Sequence, residues 1–352
     1  MTVWHLHGLV LPEGVERDLY VADGRITFEP LPDATTLARD VVLVPGLVDV
    51  HAHLSLHSPA GDAAPPGERV RASARAHLDA GVLAVREPGS PDSASHGLGP
   101  AEALPRVTTA GRFLAPPGRY FPGLAREVPE ADLTSAALEE LAGSDGWVKV
   151  IGDFPVEDAI RPTYGAEALA GAVREVHGAG GRVAVHCTLP EVADAALTAG
   201  VDSLEHATFL APDQLPALRD SGAAWVPTLT INPMIRSLLP PALAPLLDRH
   251  PEVVRAAAEA GVTVLAGTDA GMGPHGMVRH EVALLNRAGL TPADALGAGS
   301  WAARAFLGLP GLEEGAPADL TAYRQDPRTS LAALADPAVV ILGGRLVRSA
   351  SA

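Results

Sequence analysis

Along this chain an amphipathic, helix-length stretch is followed repeatedly by a glycine and then at once by a short apolar run. This order occurs at Asp79-Ala80-Gly81-Val82-Leu83, Gly180-Gly181-Arg182-Val183-Ala184, Ala199-Gly200-Val201-Asp202, Ser221-Gly222-Ala223-Ala224-Trp225 and Ala260-Gly261-Val262-Thr263-Val264. A glycine at that point takes the left-handed conformation that ends a helix, so the chain turns directly into a strand. Helix–glycine–strand units in series predict parallel strands joined by helical crossovers. Strand-like windows fall at 46–51, 82–87, 106–110, 147–151, 182–186, 202–206, 224–229 and 262–268. Eight such windows favour a (β/α)8 barrel of the TIM type over an open sheet.

The two ends of the chain carry a different pattern. Val3–Leu11, Asp18–Val21, Arg25–Phe28 and Val41–Val44 are short strand-like runs separated by turns, and Asp319–Tyr323 and Val339–Val347 repeat the theme. These runs predict a composite β-sandwich domain from residues 1–45 and 313–352, flanking a barrel at 46–312.

Composition narrows the function classes. Of 352 residues, 47% are apolar but only 4% aromatic, so the core is built mainly from Ala, Val and Leu. The net charge of −16, without a basic stripe, argues against nucleic acid or an anionic membrane as partner and leaves a small-molecule substrate. No apolar run reaches the roughly 18–20 residues that span a bilayer. Met1–His7 lacks a cationic segment and a cleavage site, and the single cysteine, Cys187, allows no intrachain disulfide. A cytoplasmic location is the expectation. Association into a homo-oligomer stays open.

Candidate chemistry gathers at the carboxyl ends of the expected strands, where loops of a barrel converge. The first ends in Asp49-Val50-His51-Ala52-His53, the fifth in Val185-His186, the sixth in Glu205-His206 and the eighth in Gly267-Thr268-Asp269. Residues i and i+2 of a strand share a face, so His51 and His53 point the same way. With 13 histidines in the chain, one His-x-His pair is weak evidence, and His5-Leu6-His7 in the first terminal strand shows how readily it arises. Four imidazoles and a carboxylate at one mouth suit a zinc-like ion. The fourth strand holds Lys149, the only lysine among 26 basic residues. A buried ammonium is costly, but a lysine, unlike an arginine, can become a neutral amine. Such an amine can act as a nucleophile, form a Schiff base, or add carbon dioxide to become an anionic carbamate ligand.

Val44-Pro45-Gly46-Leu47-Val48-Asp49-Val50-His51-Ala52-His53 resembles the opening metal motif of the amidohydrolase superfamily. The later series Lys149, His186, His206 and Asp269 resembles the ligand order of its binuclear members. The likeness runs through Gly200-Val201-Asp202-Ser203-Leu204-Glu205-His206 and Gly267-Thr268-Asp269-Ala270-Gly271 to the tail Gly315-Ala316-Pro317-Ala318-Asp319-Leu320. Within the superfamily the chain is similar to the imidazolonepropionase-related branch, which includes metal-dependent Xaa-Pro and Xaa-Arg/Lys dipeptidases.

This resemblance implies two divalent ions, zinc being the expectation. His51, His53 and Asp269 would hold one and His186 and His206 the other, with Lys149, carboxylated by carbon dioxide, bridging them. Two divalent cations then face the charges of Asp269, the carbamate and a bridging hydroxide, leaving one net positive charge. The hydroxide would be the nucleophile, and Asp269 would carry its proton to the leaving amine. The implied activity is hydrolysis of an amide C–N bond in a dipeptide or N-acyl amino acid.

Candidate substrate contacts are His57, Arg86, Arg119, Tyr120, Thr228, Asn232 and His275, with Arg86 or Arg119 as a bidentate carboxylate clamp. The chain departs from the branch pattern at Arg86-Glu87-Pro88, at Pro117-Gly118-Arg119-Tyr120 and at His186-Cys187-Thr188, all positions around the substrate. Three alternatives remain. One is a cyclic-amide hydrolase with a single metal, and another is a lactone or phosphotriester hydrolase on the same centre. The third, a non-catalytic binding barrel, is disfavoured because all six ligand positions are filled.

Overall fold

The computed structural model describes residues 2–157, 159–239 and 243–349. The five glycines that end the repeated helices, Gly81, Gly180, Gly200, Gly222 and Gly261, all have φ between 73° and 83°. A side chain would be strained there, and at four of the five, all but Gly261, helix passes to strand within two or three residues.

The strands that follow are parallel and form two sheets. One pairs Leu47–Asp49, Val82–Glu87 and Arg106–Thr109. The other runs Ala224–Val226, Ser203–His206, Arg182–Cys187, Trp147–Ile151, Phe113–Ala115 and Ala125–Glu127. The third expected strand is longer than its pattern implied. It breaks at Ala110-Gly111-Arg112, pairs through Arg106–Thr109 with one sheet, and pairs through Phe113–Ala115 with Trp147–Ile151 of the other.

The eighth expected strand, 262–268, forms no ladder. Trp225 and Val264 make a single bridge, and Val50 N–H donates to Ala266 O. Beyond these, the N–H groups of Thr268 and Asp269 both turn to His51 O, and Asp49 accepts a further bond from Thr268 N–H. Donors spent on one carbonyl and one side chain cannot propagate a ladder. Sheet pairing therefore shows two parallel sheets linked by single bonds, not one continuous barrel sheet.

The chain ends meet in one seven-stranded mixed sheet, in the order Arg345–Ser349, Val339–Leu342, Leu320–Tyr323, Thr35–Pro45, Trp4–Val10, Val15–Ala22 and Arg25–Thr27. The expected sandwich differs from this: among the described residues the terminal strands make a single sheet. Leu6, Leu19, Ile26, Leu43, Leu320 and Ile341 form its own buried core. Asp319 joins sheet and parallel strands, accepting from Arg106 Nε, from Arg304 across 3.5 Å and from Gly343 N–H at 2.8 Å.

Alternation on Trp147–Ile151 shows how the interior is divided. Val148 and Val150 pack in the main core with helix residues such as Ala137 and Val173, while Trp147, Lys149 and Ile151 take the opposite face. Burying each valine supplies about 1.5–3 kcal/mol, which is available to hold the strand that carries Lys149.

Candidate active site

His51, His206 and Asp269 bring one ligand atom each to within 4.8 Å of one another. His53 joins them, its Nε2 3.3 Å from His51 Nε2 and 3.1 Å from Asp269 Oδ1. The His186 ring packs on His206 with centroids 4.7 Å apart. All five, with Lys149, line one cavity of about 310 Å3. The sequence-expected ligands thus converge on one mouth.

Backbone conformation helps to aim them. His206, Ala207, Thr228 and Asp269 have φ of 65°, 43°, 51° and 53°, a region that costs a non-glycine residue about 1–3 kcal/mol. Strict alternation would set Glu205 and His206 on opposite faces. The left-handed turn at His206 lets both reach His51. Glu205 takes its Nδ1, and His206 stacks at 4.8 Å between ring centroids.

Three imidazoles have their second nitrogen engaged. His51 Nδ1 donates to Glu205 Oε2 at 2.6 Å, and His53 Nδ1 donates to Gly89 O at 2.8 Å. Thr228 Oγ1 gives its own hydrogen to Pro227 O, so His206 Nδ1 is the donor in their 2.8 Å contact. Each bond occupies Nδ1 and turns Nε2 toward the cluster, the orientation found around bound metals. Glu205 is anchored in turn by Arg86, whose Nη2 donates to Oε1 at 2.6 Å, and by Ser203. This carboxylate is the functional residue that the sequence pattern left out. Its one sequence signal is a charged residue in an otherwise apolar strand beside a candidate ligand.

Electrostatics favour cation binding. Burial, assisted by the Lys149 charge, lowers the His186 pKa to about 3, and burial also holds His206 well below the usual imidazole range. Both are therefore neutral ligands at pH 7. Burial opposes ionisation of Asp269, yet hydrogen bonds from His51 and His53 prevail and keep it well below the usual carboxylate range. For Glu205 burial is likewise outweighed, first by Arg86 and then by His51 and Lys149.

Lys149 is 1% exposed, and its Nζ has no hydrogen-bond partner among the described residues. Burial pushes its pKa down to about 8, against the pull of Glu205 and Asp269. A buried, unpartnered amine among neutral imidazoles and anionic oxygens is the donor set that two divalent cations and a carbamate would complete. The residues present fit such a centre.

The expected substrate contacts divide into three groups. Tyr120, Thr228 and Asn232 line the cavity. His57 and His275 lie outside it, His57 bonded through Nδ1 to Gly271 O and His275 through Nε2 to Leu56 O. Neither arginine is placed as the expected clamp. Arg86 is fully buried against Val50 O, Ser203 and Glu205, with its guanidinium 4.7 Å above the Trp147 ring, because an interior carboxylate needs its charge. Arg119 gives its Nη2 to Arg161 O and Pro162 O, tying one loop to the hairpin Asp153–Val156 and Ala159–Pro162. Glu87, where the chain departs from the branch pattern, is buried outside the cavity and accepts from Ser95.

Comparison with known proteins gives this geometry a context. An uncharacterized protein of Mycobacterium tuberculosis is 39% identical over 360 residues, spanning 97% of this chain and 95% of its own. In fold the chain is similar to a Xaa-Pro dipeptidase (TM-score 0.84, 21% identity, 99% of this chain and 100% of that one). It is also similar to the ochratoxinase of Aspergillus niger (TM-score 0.84, 21% identity, 99% and 96%). The sequence pattern of the Amidohydrolase family matches residues 42–347, which takes in every converging side chain and the C-terminal strands of the terminal sheet, and the chain belongs to that family.

Proposed function

We propose that this enzyme hydrolyses an amide C–N bond with two divalent metal ions, and that Lys149 makes the centre binuclear. The observation that carries this reading is the buried Lys149 Nζ, unpartnered among ligand-type side chains. Similarity in fold to a Xaa-Pro dipeptidase and an ochratoxinase supports amide cleavage as the reaction. His51, His53 and Asp269 would hold one ion, and His186 and His206 the other. Lys149, once it loses its proton, would add its nitrogen to the carbon of carbon dioxide and release a second proton, and the resulting carbamate would serve as an anionic ligand for the ions. When bound, the ions supply Lewis acidity and bring the pKa of a coordinated water to about 7.

The remaining work belongs to side chains of this chain. The Asp269 carboxylate, kept ionised by His51 and His53, takes a proton from the attacking water and passes it to the leaving nitrogen. Glu205 and Thr228 hold the His51 and His206 rings by Nδ1, with Nε2 turned toward the metal position. Lys149→Ala tests the assignment through metal analysis and amidase assays on one preparation. The expected outcome is fewer than two metals per chain and a fall in kcat of about 10³-fold or more, the scale of removing a group that organises transition-state charge. Full activity with two metals retained would overturn it. A wild-type stoichiometry of one metal would instead favour the mononuclear cyclic-amide reaction.

A further inference from the structure

The cavity above the ligands has two apolar walls. On one side Tyr120, Phe121 and Phe154 form an aromatic cluster with ring centroids 5.1–5.3 Å apart. On the other are Ile231, Ile235 and Leu239. With Phe113, a chain with only 4% aromatic residues has concentrated four of them around this cavity. Outside the metal-ligand set, the polar side chains facing the space are uncharged: Tyr120, Thr188, Thr208, Thr228 and Asn232. Among the described residues no arginine lines it, and Lys149 sits within the ligand cluster.

Three arginines near the mouth are committed elsewhere. Arg86 serves Glu205, Arg119 two backbone carbonyls, and Arg69, in an adjoining recess, pairs with Asp92 at 3.1 Å. The molecule as a whole carries −16, which repels anions from the mouth. A dipeptide or N-acyl amino acid presents a carboxylate beside the scissile bond, and here that charge would be stripped of water without a counter-ion from the wall.

We infer that the substrate is a neutral amide flanked by apolar groups, at least one of them an aryl ring, and not a dipeptide or N-acyl amino acid. This rests on the amide reading above. Stacking on Tyr120, Phe121 and Phe154 supplies the affinity, and absence of a cationic clamp supplies the discrimination.

Two compounds that differ only in a carboxylate, N-benzoylphenethylamine and N-benzoylphenylalanine, test it on the zinc-loaded enzyme. The expected result is a kcat/KM at least about tenfold higher for the neutral compound, in line with the cost of leaving one polar group unmatched. Equal or better turnover of the acid would overturn the inference while leaving amide hydrolysis intact. Binding of both compounds, followed by ligand-observed NMR, separates the two claims. If neither is cleaved but the neutral one binds more tightly, the amide reading fails and the assignment of the cavity stands. If neither is cleaved and the neutral one binds no better, both fail. Phe154→Ala gives a second check: KM for N-benzoylphenethylamine should rise about tenfold with kcat nearly unchanged. An unmoved KM would remove the aromatic wall from recognition and the inference with it.

Discussion

Glu205 shares a strand with His206 but serves His51, which stands on a different strand. It is buried, ionised and bonded to Arg86, Ser203 and His51, so its position is determined by three partners at once. Carboxylates in this role tune the ligand they touch, and losing one lowers metal affinity by about 10–100-fold. Glu205→Gln should show that loss in a competitive chelator titration while His51 itself is untouched. An unchanged affinity would confine Glu205 to neutralising Arg86. Lys149 and Glu205 also show what a residue-level reading can and cannot find. The lysine stands out because the chain has no other. The glutamate becomes visible only once the left-handed turn at His206 is known, because alternation alone puts it on the wrong face.

At the scale of elements, the helix ends and most strands were legible because they follow from local chemistry. Glycines at the five junctions adopt positive φ, and a short apolar run follows each. The eighth segment forms no ladder although Val262-Thr263-Val264-Leu265 has strand composition: among the described residues that run pairs across only to Trp225, and at the segment's end the Thr268 and Asp269 N–H groups are diverted to Asp49 and His51. Arg86 and Arg119 were misplaced for a related reason: loop polarity says that a cation is present, not which acceptor takes it. The segment Leu229–Ile231 and the following helix Asn232–Leu238, which carry one wall of the cavity, are held from beneath by Glu281. Its carboxylate accepts from Leu229 N–H at 2.8 Å and from Thr230 N–H and Oγ1 at 2.7 and 2.6 Å. Glu281→Ala leaves two buried backbone donors unpaired. It should cost about 2–4 kcal/mol in denaturant unfolding and raise substrate KM as the wall loosens. A change below about 0.5 kcal/mol would mean that water replaces the carboxylate.

For the whole molecule, Asp319 is the point where the terminal sheet and the parallel strands share charge. It is 1% exposed and faces Arg106, Arg304 and Gly343 N–H. Removing one partner of a buried pair typically costs about 3–5 kcal/mol, because the remaining ion is stranded. Asp319→Ala should lose that much. Because the contact bridges both parts, calorimetry should also show the single unfolding transition broaden or split. Retained stability with one sharp transition would show that the apolar contacts between the parts suffice. Among the described residues no helix is long and apolar enough to cross a membrane.

The seven-stranded sheet also imposes an order of assembly on a chain made from one end. Strand Thr35–Pro45 leaves the ribosome early with Trp4–Val10 beside it, but the neighbour on its other edge, Leu320–Tyr323, follows ~275 residues later. At typical elongation rates that is a wait of roughly 15–55 s, during which an apolar strand edge stands open to pairing with other chains. Nascent protein is therefore most exposed to aggregation before its last strands emerge. Slower translation of the middle of the message should lower the soluble yield of this chain without altering a single contact in the finished enzyme.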